Sequence, residues 1–212
     1  MSCFREERIG TSGEGGKWMC DVEALRDKVD DCLIYSIGSN NDFSWESAVK
    51  ARAPNCEIHV FDHTVINATN KPKNVFFHKW GLTHHKSKKS DHATNPNLKS
   101  LAEISNLLGH NNKTLDVFKI DCEGCEWDTH QMWFASGFHK IEEILVELHH
   151  GTNKPSPNSR AKQFFTHLHE SGYRIFHKEP NVHYSGGSGL CVEFAFRRID
   201  SEQLLLLDKL KR

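Results

Sequence analysis

The densest group of residues able to do chemistry lies near the middle of the chain, at positions 119–127. The run reads Lys-Ile-Asp-Cys-Glu-Gly-Cys-Glu-Trp and follows a short apolar segment, which places Asp121 at the end of a predicted strand. Gly124 permits a tight exit from that strand. Glu123 and Glu126 could serve the N-terminus of the next helix, where acidic side chains complement the helix dipole. We expect a functional role for Asp121, because ligands of open parallel sheets bind beyond the strand ends.

Two earlier strand ends carry signals of a nucleoside-binding site. The apolar run 32–37 leads into Gly38-Ser39-Asn40-Asn41-Asp42, a turn whose glycine and asparagines tolerate left-handed backbone angles. Asp62 follows the run 58–61, at the place where a carboxylate can accept hydrogen bonds from both ribose hydroxyls. The turn lacks the complete G-x-G-x-x-G pattern and could also be a plain strand-to-helix connection.

The residues around the turn limit which class of ligand such a site would bind. The sequence contains no phosphate-cradling P-loop, and the glycine turn is followed by asparagines and an acid. This pattern disfavours a pyrophosphate and favours a nucleoside with a neutral or positive tail. S-adenosylmethionine carries a sulfonium and an ammonium group and fits this description, whereas NAD fits it less well.

The elements that must position these residues alternate along the chain. Apolar runs predict strands at 32–37, 58–61, 75–80, 115–120, 141–148, 173–177 and 190–197. Helical spacing and breakers predict helices at 21–29, 45–51, 98–108, 127–135 and 161–171. Alternation predicts an α/β fold with a doubly wound, mostly parallel seven-stranded sheet. The last two strands lack a convincing helix between them, so we expect the last strand to be antiparallel.

Length and charge indicate one ordinary domain. The chain has 212 residues and a formal net charge of −1, which gives no general reason to expect nucleic acid or an anionic membrane as partner. We expect a lead-in segment at 1–30 that packs on the domain, the main domain at 31–200, and a helical tail at 201–212. No apolar run approaches the roughly 20 residues of a membrane span.

The N-terminal residues, two sequons and the cysteines all bear on the cellular compartment of the protein. The N-terminus has acids where a signal peptide carries an apolar stretch, which indicates a cytoplasmic protein. Two sequons, at 67–69 and 112–114, keep a secretory origin open. The seven cysteines show no disulfide-framework spacing, so we expect reduced, mostly buried thiols. Cys122 and Cys125 form a C-x-x-C pair for which zinc binding, redox activity and ordinary packing are alternatives.

The motifs together resemble those of FkbM-type methyltransferases. The resemblance rests on Tyr-Ser-Ile-Gly-Ser-Asn at 35–40, Phe-Asp at 61–62 and, most specifically, Lys-Ile-Asp-Cys-Glu-Gly-Cys-Glu at 119–126. Gly-Gly-Lys-Trp-Met-Cys at 15–20 and Glu-Leu-His-His at 147–150 are similar to the eukaryotic methyltransferase-like branch of that group. The resemblance spans about residues 10–197 and implies a Rossmann-like, class I S-adenosylmethionine-dependent methyltransferase fold. Cys122 and Cys125 depart from the family pattern, which usually has apolar or small residues there.

The resemblance also implies roles for individual residues. Gly38 and Asn40 are expected near the methionine part of the cofactor, Asp62 at its ribose and Asp121 near the methyl donor. The other residues expected to bind or cover the cofactor are two beside the adenine, Trp80 and Gly81, and two that close over it or belong to the core, Lys17 and Trp18.

Methyl transfer to oxygen requires alignment of the acceptor and removal of its proton. One device is a direct base, for which Asp121, His149 and His150 are candidates. The other is a divalent Mg²⁺ or Mn²⁺ ion held by Asp121, Glu147 and His149, since positions 147 and 149 of a strand share one face.

The resemblance implies O-methylation of a small molecule or head group as the expected activity. A catalytically inactive cofactor-binding scaffold is one alternative. RNA methylation is another, which rests on a basic cluster at positions 84–92, but this cluster lacks interleaved aromatic residues and nucleic acid is not the expected partner. The sequence does not predict the oligomeric state.

Overall fold

The computed structural model of the protein describes residues 3–28, 32–83, 95–149, 157–181 and 191–200. The predicted tail at 201–212, the candidate base His150 and the basic cluster at 84–92 lie outside the described residues.

The described strands and helices follow the predicted alternation. The strands are β1 (Glu6–Ile9), β2 (Lys17–Cys20), β3 (Leu33–Ile37), β4 (Glu57–Phe61), β5 (Val75–His78), β6 (Gly81–Leu82), β7 (Leu98–Lys99), β8 (Thr114–Ile120), β9 (Lys140–His149), β10 (Tyr173–Pro180) and β11 (Cys191–Arg198). The helices are α1 (Val22–Arg26), α2 (Ser44–Arg52), α3 (Leu101–Leu107), α4 (Cys125–Thr129) and α5 (Pro157–Glu170), with a 3₁₀ helix at His130–Ala135. The helix predicted at 127–135 is thus divided between α4 and the 3₁₀ helix.

A seven-stranded sheet forms the centre of the fold, in the order β10-β11-β9-β8-β3-β4-β5. Strands β5, β4, β3, β8 and β9 pair in parallel, whereas β11 is antiparallel to both of its neighbours, β9 and β10. This confirms the predicted doubly wound sheet with an antiparallel last strand.

The sheet is covered on both faces, as its continuous apolar strands require. Alternate residues of β3 face opposite layers, so Tyr35 belongs to the core cluster that includes residues of α3 and α5, and Ile34 belongs to the cluster that includes residues of α1 and α2. Because β3 and β8 are parallel neighbours, with Ile37 paired to Ile120, their polar exits emerge at one edge of the sheet. Strand β9 continues three residues beyond its pairing with Ile120, from Val146 to His149.

The N-terminal segment differs from the expected loop plus short helix. Strands β1 and β2 form an antiparallel hairpin, with Ile9 paired to Lys17 and Glu6 to Cys20. The hairpin packs on the sheet near β9 and β11, where the backbone N–H of Cys20 donates to Glu143 Oε1 at 3.0 Å. Hairpin strands of four residues are too short to show a clear alternation in the sequence, which is why only the following helix was predicted.

The expectation of reduced cysteines is wrong for six of the seven. Disulfides join Cys3 to Cys20, Cys32 to Cys56 and Cys122 to Cys125, and Cys191 is a buried free thiol. The cysteines meet through tertiary structure: Cys32 and Cys56 directly precede the paired strands β3 and β4, for example. The C-x-x-C pair is a disulfide, so its sulfurs are not ligands of a zinc ion in this state. No helix among the described residues is both long and apolar enough to cross a bilayer.

Candidate functional site

A cavity of about 360 Å³ opens at the carboxyl edge of the parallel strands. Its walls come from the exits of β3, β4 and β8, from β6, and from the turn of the N-terminal hairpin. The residues that line it are Glu14, Gly15, Ile37, Gly38, Ser39, Asn40, Asp42, Phe61, Asp62, His63, Thr64, Gly81, Leu82, Lys119, Asp121, Cys122, Glu123 and Cys125. Five of the predicted site residues therefore line one cavity: Gly38, Asn40, Asp62, Gly81 and Asp121.

The turn after β3 has the left-handed geometry that its residues suggested. Gly38 has a φ of +80°, and Asn40 and Asn41 have φ values of 44° and 62°. A Cβ atom on Gly38 would lie 1.6 Å from the carbonyl oxygen of Asp121. Only glycine therefore allows the β3 and β8 exits to approach each other this closely.

Asp62 holds this turn in place through its carboxylate. Oδ2 accepts the backbone N–H groups of Ser39 and Asn40 at 2.9 and 2.8 Å. Oδ1 accepts the backbone N–H of Thr64 at 2.9 Å and its hydroxyl at 2.6 Å. Burial opposes ionisation, but these hydrogen bonds lower the pKa of Asp62 to about 2. The side chain is thus a permanent anion that lines the cavity and shapes its wall.

Lys119 also holds the turn after β3 in place. Its buried ammonium donates to the carbonyl oxygen of Gly38 at 3.0 Å and to Ser36 Oγ at 3.3 Å. Ser36 in turn donates to the buried carboxylate of Glu46 on α2 at 2.6 Å. The first residue of the Lys-Ile-Asp motif therefore positions the turn, while the third faces the cavity.

A buried ion cluster lies behind Asp121, centred on Lys17 of the hairpin. The ammonium of Lys17 is 3.1 Å from Asp121 Oδ2, 3.1 Å from Glu147 Oε2 and 2.8 Å from Glu193 Oε1. Burial would lower the pKa of Lys17, but the three carboxylates outweigh it and raise the pKa above its usual value. Asn181 completes the cluster by donating to Glu147 Oε1 at 2.9 Å.

Asp121 is ionised by its neighbours. Burial alone would raise its pKa, but Lys17, Lys119 and His149 lower it. Its side chain keeps 21% exposure at the cavity, so the negative charge is presented to a ligand. Glu147 behaves differently, because burial raises its pKa despite the nearby ammonium of Lys17.

His149 ends β9 and contacts the carboxylates of the motif. Its Nδ1 lies 3.1 Å from Glu126 Oε1, and its Nε2 lies 3.7 Å from Asp121 Oδ1 and 3.6 Å from Glu123 Oε2. Burial would lower its pKa, yet the hydrogen bond to Glu126 and the three negative charges raise the pKa to about 9. His149 is therefore an imidazolium at neutral pH. In that form it can neither accept a proton nor bind a metal ion.

The ammonium of Lys17 lies between two of the three predicted metal ligands, 3.1 Å from both Asp121 Oδ2 and Glu147 Oε2. His149 is protonated beside them. Among the described residues, one ligand atom each from His149, Glu147 and Cys191 lie within 4.8 Å of one another. Burial raises the pKa of that thiol to about 12.

The two predicted tryptophans do not line the cavity. Trp18 stacks on His177, with ring centroids 3.9 Å apart, and its Nε1 donates to Glu179 at 3.0 Å. Trp80 stacks on His78 at 4.8 Å, with the ammonium of Lys99 5.3 Å from its centroid. Neither ring covers the described cavity in this structure, although Gly81, next to Trp80, does line it.

Several residues of the site were missed by the sequence reasoning. Glu14 and Gly15 reach the cavity from the hairpin turn, and Glu193 reaches Lys17 from β11. The sequence indicates that Glu126 complements the dipole of the next helix. In the structure its buried carboxylate instead connects the β8 exit to β9. It accepts the backbone N–H of His149 at 2.8 Å and that of Gly124 at 2.9 Å. Glu14 directly precedes the motif at 15–20, Gly15 begins it, and Glu126 lies within the motif at 119–126, whereas no sequence signal marks Glu193.

Comparisons with known proteins agree with this architecture. A family model described as a methyltransferase domain matches residues 1–198. A comparison with curated protein sequences gives no match.

Solved structures resemble this chain at low sequence identity. The Methanococcus jannaschii fibrillarin pre-rRNA processing protein superposes with a TM-score of 0.51 at 11% identity, over 92% of this chain and 83% of that chain. Aeropyrum pernix fibrillarin, solved with natively bound S-adenosyl-L-methionine, gives 0.46 at 11% identity, over 92% and 84%. A predicted O-methyltransferase from Agrobacterium tumefaciens gives 0.40 at 13% identity, over 85% and 82%. The first of these likenesses shows a common fold and carries nothing about substrate.

Proposed function

Because the chain belongs to the methyltransferase-domain family, we propose that its cavity binds S-adenosylmethionine and that it methylates an oxygen of a small molecule or head group. Its sheet, with β11 antiparallel between β9 and β10, is that of the class I methyltransferase fold. The observation that carries the proposal is that four acidic residues line one cavity at the strand ends: Glu14, Asp62, Asp121 and Glu123. When bound, the cofactor supplies an electrophilic methyl group on a sulfonium.

The chemistry of the cavity suits this cofactor. Glu14, Asp62, Asp121 and Glu123 place carboxylates in its wall, which favours a ligand with cationic groups over one with phosphates. Its volume of about 360 Å³ falls within the range of small-molecule sites, roughly 300–1,000 Å³.

Individual residues take distinct roles in the proposal. Asp121 presents a fixed negative charge to the cationic part of the cofactor, held ionised by Lys17 and His149. Gly38 and Asn40 give the backbone of the turn its close approach to the ligand. Asp62 keeps that turn in shape, and its contact with a ribose stays a prediction, because six protein hydrogen bonds already use most of its acceptor capacity.

The proton of the acceptor hydroxyl needs a base other than His149. Because His149 is an imidazolium, it does not take this proton. We assign it a positioning role, in which its charge and its hydrogen bond hold the carboxylates of Asp121 and Glu126 in place. His150 remains the candidate base from the sequence.

The described arrangement does not fit a Mg²⁺ or Mn²⁺ ion at Asp121, Glu147 and His149. Lys17 already neutralises two of these groups at 3.1 Å, and the third is a cation. We therefore propose that charge compensation in this cluster comes from Lys17. Adding Mg²⁺ or Mn²⁺ to chelator-treated protein should then leave the rate of methyl transfer unchanged, and a restored rate would return the metal to the mechanism.

Two finer assignments belong to the proposal. The motif at 119–126 supports an FkbM-type subgroup within the family. The three disulfides support an oxidising compartment over the cytoplasm that the N-terminus suggested, because disulfides are rare in reducing compartments.

Calorimetric titration with S-adenosylmethionine tests the binding step. Wild type and Asp27→Asn, a matched change at an exposed position, should bind alike, whereas Asp121→Asn should bind more weakly. Binding of NAD instead of S-adenosylmethionine would refute the class of ligand.

A transfer screen with labelled cofactor tests the reaction. It should cover small hydroxylated molecules, lipid head groups and RNA. Transfer to a small hydroxylated acceptor or head group supports the proposal. Transfer to RNA alone would replace the acceptor class, and cofactor binding without transfer to any acceptor would favour the inactive scaffold.

A further inference from the structure

A cluster of side chains of the types that bind metal ions lies at the first half of β4, away from the cavity at the end of that strand. Glu57 begins the strand and His59 stands in its middle, while His110 follows α3. Glu57 Oε1 is 2.7 Å from His59 Nε2 and 3.4 Å from His110 Nε2. All three ligand atoms lie within 4.8 Å of one another.

From this geometry we propose that Glu57, His59 and His110 form a binding site for a divalent transition metal, with Zn²⁺ as the preferred ion. Ligand atoms about 2.0–2.1 Å from a tetrahedral zinc ion are about 3.4 Å apart. The distance from Glu57 to His110 already has this value, and the distance from Glu57 to His59 has to widen from 2.7 Å by about 0.7 Å. The ligand atoms of the two histidines lie within 4.8 Å of each other.

Each imidazole is held by a second partner through its other nitrogen. His59 Nδ1 is 2.8 Å from His78 Nε2, and His110 Nδ1 is 2.6 Å from the Tyr35 hydroxyl. In the metal-free protein Nε2–H of His59 donates to Glu57. A bound ion would replace that proton, and Nδ1–H of each ring would then donate to its outer partner. Outer hydrogen bonds of this kind orient the histidines of protein metal sites.

The surroundings restrict movement of the ligands but leave an entry path. His59 and His110 are each 4% exposed, and the ring of His59 stacks on Phe76 with centroids 4.9 Å apart. The side chain of Glu57 is 39% exposed, so solvent can deliver an ion and supply a fourth ligand.

The ligand set identifies the class of ion. Two imidazoles and one carboxylate suit Zn²⁺ and its neighbours in the transition series, whereas Mg²⁺ and Ca²⁺ prefer oxygen ligands alone. Lys113 is a nearby cation that faces the cluster and weakens binding by repulsion. A bound ion would strengthen the connection between β4 and the segment after α3, which Glu57 and His110 already make at 3.4 Å.

Metal binding by tag-free, chelator-treated full-length chain tests the proposal. Zn²⁺ is titrated in competition with a chromophoric indicator, and Co²⁺ is followed by its visible absorption bands. We expect one tight Zn²⁺ per chain and a Co²⁺ spectrum of low coordination number. Wild type that fails to compete with the indicator and gives only the spectrum of hydrated Co²⁺ would overturn the site.

Variants locate the ion. Glu57→Gln and His110→Gln should lose tight binding, while His139→Gln, at an exposed histidine outside the cluster, should bind as wild type does. Tyr35→Phe keeps the ring and removes only the outer hydrogen bond, so Zn²⁺ affinity should fall by about 10–100-fold. Asp121→Asn should retain the site, which separates it from the cofactor cavity. Unchanged affinity in Tyr35→Phe and in both ligand variants would refute the assignment.

Discussion

Glu147 and Glu193 are directly opposite each other on the antiparallel strands β9 and β11, and the ammonium of Lys17 lies within 3.1 Å of both carboxylates. Like charges in facing positions destabilise a sheet. The N-terminal hairpin supplies the cation that makes this pair tolerable, and the same cation reaches Asp121 at the cavity. Formation of the cavity edge at Asp121 is therefore coupled to docking of the hairpin.

Lys17→Met should destabilise the fold strongly. It leaves three buried or half-buried carboxylates without their cation, and breaking a buried ion pair from one side costs about 3–5 kcal/mol. Denaturant unfolding measures the loss, with Lys73→Met at an exposed position as the control. Adding Glu193→Gln to Lys17→Met should restore part of the stability, because one of the stranded charges is removed. Equal stability of Lys17→Met and wild type would contradict the cluster.

Asp121→Asn should affect chemistry more than folding. Lys17 retains Glu147 and Glu193 as partners, so the unfolding free energy should change less than in Lys17→Met. The rate of methyl transfer should fall by at least about tenfold, or 1.4 kcal/mol, because the fixed charge at the cavity is lost. Steady-state kinetics and a melting curve on the same sample measure the two effects. An Asn variant with full turnover would remove Asp121 from the mechanism.

His149 should make stability dependent on alkaline pH. Its pKa is raised from 6.5 to about 9 in the folded state, so its stabilisation is complete below pH 6.5 and is lost as the pH rises through about 9. The shift corresponds to about 3 kcal/mol. Unfolding free energies measured from pH 6 to 10 should show this decline in wild type, and it should shrink in His149→Gln. Identical pH profiles for the two proteins would show that His149 is not charged.

Asp62 should contribute stability in the opposite pH direction. Its folded pKa is about 2, against 3.8 for the free side chain, so its contribution is present above about pH 4 and disappears as the pH falls through 2. Asp62→Asn should therefore lower the unfolding free energy at pH 7 by about 2 kcal/mol. It should also weaken cofactor binding, because the turn after β3 loses two backbone hydrogen bonds. An Asn variant with unchanged stability and affinity would show that the turn does not depend on this carboxylate.

The disulfide pattern predicts one free thiol. Alkylation of the denatured, unreduced protein should modify Cys191 alone, and peptide mapping should link Cys3 to Cys20, Cys32 to Cys56 and Cys122 to Cys125. In the folded protein Cys191 should react slowly, because it is buried and its pKa is raised to about 12. Recovery of seven alkylated cysteines without reductant would refute the pairing.

The sequence by itself determined the sheet and the floor of the cavity. Apolar runs that end in Gly38, Asp62 and Asp121 are local patterns, and parallel strands bring such ends to one edge whatever the details of packing. The left-handed turn was also predictable, because it depends on the glycine and asparagines within it. These features need no knowledge of distant contacts.

Only the tertiary structure decided the electrostatics behind that cavity. Lys17 is 130 positions from Glu147 and 176 from Glu193, and no local pattern marks such a contact. The same holds for Glu126, whose contact with His149 turns a predicted base or metal ligand into an imidazolium. The disulfides likewise depend on strand pairing. Charge state and sulfur pairing are decided by which groups share a buried volume, and only the folded chain determines that.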